Sequence, residues 1–125
     1  MQERRLFLRY PWERPVVLRS PGGQSWDAVS TDISVAGIGL RLTRETVTAL
    51  AQGGTILSPG DHMLVLVPAA VSGTARGLNL QCRVKEVRRQ SLDQYVAGAW
   101  FENVETDTEA VLARLVEAAR RARWG

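Results

Sequence analysis

Short stretches in which apolar and polar residues alternate, separated by turn residues, recur along most of this chain of 125 residues. The clearest covers residues 78–85, where every second residue is apolar and the residues between them are polar. A period of two places successive side chains on opposite faces of a strand. Several such strands with turn signals between them favour an antiparallel barrel or sandwich, so the sequence predicts a mostly β protein. The other expected strands cover residues 16–18, 25–33, 38–43, 63–67 and 95–101.

Two segments have a helical pattern instead. The sequence Thr106-Asp107-Thr108-Glu109 has the form of a capping box and is followed by apolar residues three and four positions apart. This predicts an amphipathic C-terminal α-helix over about 107–123. A shorter helix is expected at residues 45–52, with Thr43 as its N-cap and Gly53 at its end.

The composition is that of a single globular domain, with 45% hydrophobic and 23% charged residues. No apolar run approaches the roughly 20 residues that cross a bilayer. The first residues lack the apolar stretch of a secretory signal. Cys82 is the only cysteine, so it can form no internal disulfide. We therefore expect a cytoplasmic protein without a membrane span.

The basic residues lie mainly at the two ends of the chain, although the net charge is only +3. A barrel that binds RNA or single-stranded DNA needs stacking aromatic side chains along a basic face. Only 6% of the residues are aromatic, and the middle of the chain is close to neutral. A nucleic acid polymer is therefore a disfavoured partner.

Arginines near the N-terminus suit the binding of a nucleotide. Arg4, Arg5 and Arg9 lie in residues 1–14, whose prolines disfavour a helix. Arginine side chains can grip phosphates, pair with O6 and N7 of guanine, and stack on a base. The sequence predicts a flexible basic arm, residues 1–14, followed by a single domain of residues 15–125.

The second segment of interest is Asp32-x-Ser34-x-x-Gly37, just before an expected strand. A carboxylate can accept hydrogen bonds from the N1–H and N2–H groups of guanine, while a hydroxyl and the backbone of a glycine turn can bind phosphate. The same residues also have a structural interpretation, because Asp and Ser cap turns and glycine permits positive φ. Together with the arm, this segment indicates a site for a small guanine nucleotide.

In this order and spacing the two segments resemble the PilZ family, bacterial receptor domains for the second messenger cyclic di-GMP. The family pattern RxxxR matches Arg5-Leu6-Phe7-Leu8-Arg9, and [D/N]xSxxG matches the segment from Asp32 to Gly37. Residues 98–101 resemble the closing strand of the family. The resemblance covers essentially the whole chain and implies a six-stranded antiparallel β-barrel with a C-terminal α-helix.

The resemblance also implies roles for individual residues. Arg5 and Arg9 would hold phosphates and guanine faces, and Asp32 would accept hydrogen bonds from a guanine edge. Ser34 would contact phosphate or base, and Gly37 would leave room at the turn. The ligand would be cyclic di-GMP, with no further cofactor.

Arg4 lies immediately before the arm motif. In PilZ-like proteins this position bears on whether one ligand or an intercalated pair is bound, and an arginine there favours the pair. Ligand binding would order the arm over the barrel and so create or hide a surface for an unidentified partner protein. The alternative is a PilZ-like adaptor that binds proteins but no nucleotide. The C-terminal helix and residues 44–60 are candidate interfaces of a possible homodimer.

The sequence contains no residue set that is typical of catalysis or metal binding. His62 is the only histidine, and no P-loop, zinc-ligand pattern or Ser-His-Asp set is present. We therefore expect a binding protein and not an enzyme.

Overall fold

The computed structural model of the protein describes residues 8–53 and 57–124, and strands are its main elements. In chain order the strands are β1 (Tyr10–Pro11), β2 (Pro15–Arg19), β3 (Ser25–Ile33), β4 (Gly37–Thr43), β5 (His62–Val67), β6 (Leu78–Arg89) and β7 (Gln94–Phe101). The helices are α1 (Arg44–Gln52), α2 (Ala69–Ser72) and α3 (Thr106–Trp124). Arg4 and Arg5 of the predicted arm lie outside the described residues.

Strands β2 to β7 close into an antiparallel barrel. Their order around the wall is β3-β2-β5-β6-β7-β4, and β4 pairs in turn with β3. Each neighbouring pair is antiparallel. The predicted six-stranded antiparallel β-barrel with a C-terminal helix is therefore confirmed.

Alternate side chains of the strands fill the barrel interior. In β6 the apolar residues at every second position are buried and the polar residues between them are exposed, until the pattern breaks after Val84. Cys82 is 1% exposed and belongs to this core. The largest fully buried side chains are Leu18, Ile33, Ile38, Leu40, Leu42, Leu50, Leu80 and Leu112.

The segment before β2 packs along β3. β1 pairs with the end of β3, and Trp12 is only 6% exposed. The sequence predicts an arm of residues 1–14 before the barrel domain, whereas packing on the barrel begins at Tyr10. The physical reason is the indole of Trp12, whose burial in the core contributes more than a solvated position would.

Ser30 fixes the same segment to the barrel. The residue is fully buried, and its hydroxyl donates a hydrogen bond to the carbonyl oxygen of Trp12. The Ser30 hydroxyl also accepts from the backbone N–H of Arg14 at 3.0 Å. The backbone N–H of Ser30 donates to the carbonyl oxygen of Arg14 at 2.9 Å. Three contacts of one residue therefore set the path of the chain that leads back to Arg9.

Of the two shorter helices, α1 has a sequence pattern that predicts it and α2 has none. α1 has the predicted caps, because the Thr43 hydroxyl accepts from the N–H of Thr46 at 3.1 Å and Gly53 is the C-cap. α2 has only four residues and ends at Gly73, which has a φ of 75°. One turn of helix is too short to show a period of 3.6 residues, so the sequence pattern does not predict α2.

The C-terminal helix α3 packs on β1 and on the core. Its buried residues are Leu112, Leu115 and Ala119. The N–H of Glu109 donates to the carbonyl oxygen of Glu105 at 2.8 Å, so the first turn already includes Thr106, which the capping-box pattern placed at the helix boundary. No helix within residues 8–53 and 57–124 is both long and apolar enough to cross a membrane.

Candidate ligand-binding site

Arg9 and Asp32 meet on the outer surface of the barrel where β1 joins β3. Nη1 of Arg9 lies 3.1 Å from Oδ1 of Asp32, and the side chains are 34% and 31% exposed. β1 begins directly after Arg9, and Pro11 lies opposite Asp32 in the β1–β3 register. The backbone pairing therefore brings together two residues that were predicted from separate motifs.

The carboxylate of Asp32 is held over β4. Asp32 lies opposite Gly39, after an irregularity in the β3–β4 register between Ser30 and Asp32. A Cβ atom on Gly39 would come 2.7 Å from Oδ2 of Asp32 and would overlap the Thr31 hydroxyl. That hydroxyl donates to Oδ2 of Asp32 at 3.1 Å. Gly39 therefore makes room for the carboxylate, a role that the sequence analysis did not identify.

Trp100 supplies the aromatic part of the same surface. It lies opposite Gly37 in the β4–β7 register and is half-buried. The guanidinium carbon of Arg9 is 5.7 Å from the centroid of the indole ring, and Nζ of Lys85 is 4.6 Å from it. Both distances lie within the range of about 6 Å that is typical of cation–π contacts. Arg9 therefore contacts a carboxylate and an aromatic ring at once.

Two glycines lie between the carboxylates of Asp32 and Glu86 on this surface. Gly39 lies opposite Gly98, and Gly98 lies opposite Glu86 of β6. A Cβ atom on Gly98 would lie 3.6 Å from Cγ of Glu86, so this side chain leans over Gly98 much as Asp32 leans over Gly39. We name the surface formed by Arg9, Asp32, Glu86, Trp100 and Lys85, with the two glycines beneath it, the outer-wall site. Among the residues of this site that lie outside the two motifs, Trp100 has a clear sequence signal, because it alternates with the buried Ala99 and Phe101 and so faces outward.

Ser34 and Gly37 build the turn that follows β3. The Ser34 hydroxyl accepts from the backbone N–H groups of Ala36 and Gly37 at 3.0 and 3.1 Å, and the residue is 1% exposed. These contacts match the structural interpretation of the motif. A Cβ atom on Gly37 would overlap the carbonyl oxygen of Ala99 in β7. Close approach of two strands, and not positive φ, therefore requires glycine at this position. Direct contacts of Ser34 and Gly37 with a ligand stay a prediction.

The described residues contain no group of three His, Cys, Asp or Glu side chains that could hold a metal ion. His62 instead lies 3.0 Å from Oε1 of Glu102, and Nε of Arg83 lies 2.8 Å from Oε2 of the same carboxylate. The outer-wall site, in contrast, combines two cationic side chains, two carboxylates and the indole ring of Trp100. This combination suits the recognition of an anionic ligand with aromatic bases.

Known protein structures share this fold. The PilZ domain of YcgR from Escherichia coli, solved with c-di-GMP, is 16% identical, with a TM-score of 0.64 over 96% of this chain and 94% of that chain. The Bacillus subtilis inhibitor of motility MotI/DgrA is 13% identical, with a TM-score of 0.69 over 97% of this chain and 51% of that chain. The complex of MrkH from K. pneumonia with c-di-GMP is 15% identical, with a TM-score of 0.64 over 94% of this chain and 53% of that chain.

At these identities the likeness shows a common fold. The chain spans about half the length of the MotI/DgrA and MrkH chains. A comparison with curated proteins found no match. The sequence profile of the PilZ domain, in contrast, matches residues 3–118, which include the whole barrel and most of α3. The chain therefore belongs to the PilZ domain family.

Proposed function

We propose that the protein is a receptor module for cyclic di-GMP. The observation that carries this proposal is the contact between Arg9 and Asp32, at 3.1 Å, which joins the arm motif and the turn motif in one site. Guanine presents the acceptors O6 and N7 on one edge and N–H donors on another. The arginine matches the first edge and the carboxylate the second. The solved complexes of YcgR and MrkH with c-di-GMP support the same ligand for this chain.

Arg9 and Asp32 form an ion pair with each other. Both side chains are about one-third exposed, with values of 34% and 31%. An ion pair this accessible to solvent contributes only about 0–1 kcal/mol. Charge-assisted hydrogen bonds to a phosphate and to a guanine edge are stronger than neutral ones. A nucleotide can therefore replace the internal pair with a net gain in free energy.

The arm supplies the remaining contacts in this proposal. Arg4 and Arg5 bring further positive charge to a ligand that carries two phosphodiester groups. The ligand neutralises the mutual repulsion of the arginines and orders the arm over the barrel. Ordering changes the surface that the module presents to a partner protein. The arginine at position 4 favours an intercalated ligand pair, because its guanidinium group can stack on a further guanine.

Ser34 and Gly37 have a structural role in this proposal, beside the direct ligand contacts predicted for them. The buried hydroxyl of Ser34 holds the turn that follows Asp32, and Gly37 lets that turn approach β7. The turn therefore places the Asp32 carboxylate, which with Arg9 contacts the guanine edges in this proposal.

Calorimetric titration with cyclic di-GMP tests the proposal. We expect the wild-type protein to bind cyclic di-GMP with a Kd in the micromolar range or below. Each of the variants Arg5→Ala, Arg9→Ala and Asp32→Asn should weaken binding by about tenfold or more. The reason is that one good bidentate contact is worth about 1–3 kcal/mol. Arg76→Ala is the matched control, because Arg76 is exposed in the loop between α2 and β6. A stoichiometry of two ligands per chain would identify the intercalated pair.

The same titration separates the receptor from the adaptor. Absence of binding by the wild-type protein would overturn the receptor proposal and favour an adaptor that acts through protein contacts alone. Unchanged affinity in the Arg9 and Asp32 variants, with a wild-type protein that binds, would instead place the ligand elsewhere on the barrel.

A further inference from the structure

Lys85 and Arg9 converge on the same ring. Nζ of Lys85 and the guanidinium carbon of Arg9 lie 4.6 and 5.7 Å from the centroid of Trp100. Lys85 is the only lysine of the chain, and it belongs to neither of the two ligand-binding motifs. Both cations lie within cation–π distance of one ring, so an anion bound at this surface would be attracted by each of them.

An irregularity of β6 presents Lys85 to this surface. Val84 lies opposite Ala99 and Glu86 opposite Gly98, so that Lys85 is the additional residue between two regular pairs. Lys85 and Glu86 are both exposed, and alternation resumes with Val87, which packs against the core. A β-bulge of this kind re-aims a side chain and is common next to functional sites.

Lys85 and Arg9 differ in whether a carboxylate lies next to them. Arg9 is paired with Asp32, whereas no carboxylate within the described part of the chain lies within ion-pair distance of Lys85. The neighbouring Glu86 leans over Gly98. Lys85 therefore contributes an uncompensated positive charge to the outer-wall site.

We propose that Lys85 binds a phosphate of the cyclic dinucleotide and that Trp100 positions both Lys85 and Arg9 for this contact. The inference rests on the proposed function and adds β6 to a site that the two motifs confine to the arm and β3. A lysine ammonium group is a compact point charge that suits a phosphate oxygen. The ring of Trp100 contacts the side chains of both Lys85 and Arg9, and so it fixes the position of each cation at the outer-wall site.

The test compares Lys85→Met, which keeps the length of the side chain, with Lys85→Arg, which keeps its charge. Arg88→Met is the matched control, since Arg88 is also exposed on β6. Calorimetric titration with cyclic di-GMP in low salt should show an affinity about five- to tenfold lower for Lys85→Met and within about twofold of wild type for the other two variants. The deficit of Lys85→Met should shrink near 1 M salt, where the Debye length falls to about 3 Å.

Wild-type affinity of Lys85→Met, or an equal loss in Arg88→Met, would overturn the role of Lys85 and leave the proposed function intact. A wild-type protein that binds no cyclic di-GMP would overturn both. Thermal unfolding of each variant in the absence of ligand separates a binding loss from a folding defect.

A double-mutant cycle tests the positioning role of Trp100. Trp100→Leu should weaken binding and Trp100→Phe should largely restore it, because an aromatic face holds the cations. If Trp100 acts through Lys85, the loss in the Lys85→Met/Trp100→Leu double variant should be smaller than the product of the two single losses. Independent, multiplicative losses would contradict this role.

Discussion

Asp32 lies directly opposite Gly39 and occupies the space that a side chain at position 39 would need. The carboxylate reaches Arg9 from this position. The observed position of the Asp32 carboxylate therefore depends on a residue that carries no side chain.

Gly39→Ala should impair binding more than folding. The new Cβ atom would lie 2.7 Å from Oδ2 of Asp32, and it would meet the ends of side chains that can rotate away. We expect a loss of about 1 kcal/mol in the free energy of unfolding, at the low end of overpacking effects. Displacement of the carboxylate from Arg9 should weaken cyclic di-GMP binding by about tenfold. Urea unfolding and calorimetry measure the two effects.

The control for this variant is Gly22→Ala, where the added Cβ atom would make an ordinary contact of 3.7 Å with the Ser20 hydroxyl. Its affinity should match that of the wild-type protein. Wild-type affinity of Gly39→Ala would show that binding does not require the observed position of Asp32.

Gly37→Ala, in contrast to Gly39→Ala, should impair folding more than binding. The added Cβ atom would overlap the carbonyl oxygen of Ala99, which is backbone and cannot rotate away. Separation of β4 from β7 should lower the free energy of unfolding by about 3 kcal/mol, the upper part of the range for overpacking. Gly98→Ala is the contrast, because its Cβ atom would lie 3.6 Å from the flexible Glu86 side chain. Equal stability of the two variants in urea would contradict the packing role of Gly37.

Ser30→Ala should loosen the segment that connects the arm to the barrel. Removal of the hydroxyl leaves the carbonyl oxygen of Trp12, in a buried position, and the part-buried backbone N–H of Arg14 without this partner. An unsatisfied buried group costs about 1–3 kcal/mol. Urea unfolding should show this loss, and amide hydrogen exchange at Arg14 should accelerate. Ser25→Ala, at an exposed serine, should change neither quantity.

Cys82 should make stability fall at alkaline pH. Burial raises the pKa of the Cys82 thiol from 9.0 to about 12, with a smaller contribution from Glu102. Between these values the unfolded chain loses the proton while the folded protein keeps it, so the free energy of unfolding falls as pH rises. The slope is about 1.4 kcal/mol per pH unit.

The measurement is urea unfolding at pH 8 and pH 10 for the wild-type protein and for Cys82→Ala, in which this slope should disappear. The buried thiol should also react slowly with a thiol reagent at pH 8 until urea is added. Rapid reaction of the folded protein, or equal pH dependence of both proteins, would contradict the burial effect.

The barrel could be predicted because its interior selects apolar residues at every second position, as in residues 78–84. The caps of α1 were equally local, since Thr43 and Gly53 act within one turn of the helix. Arg9 and Asp32 follow from the resemblance of two separate segments to the motifs of the PilZ family, and their role in binding stays a prediction. The alternation of the strands and the caps of α1 depend on residues that are close in the sequence, so one sequence is enough to predict them.

The remaining features depend on contacts between distant segments. Register irregularities at Thr31 and Lys85 decide which side chains face the outer-wall site, and they arise from barrel closure rather than from a local pattern. Trp12 stands between two prolines in a segment that looks extended and solvated, yet it is buried. The hydroxyl of Ser34 accepts two hydrogen bonds within its own turn, and its contact with a ligand stays a prediction. Sequence spacing alone could not separate these alternatives.

β1 begins directly after Arg9, and α3 packs against it, so the first and last elements of the fold touch. A shift of Arg9 toward a bound nucleotide would pull on β1 and be transmitted to the surface of α3. A partner protein that binds α3 could therefore respond to the bound nucleotide without contacting its guanine or phosphate groups.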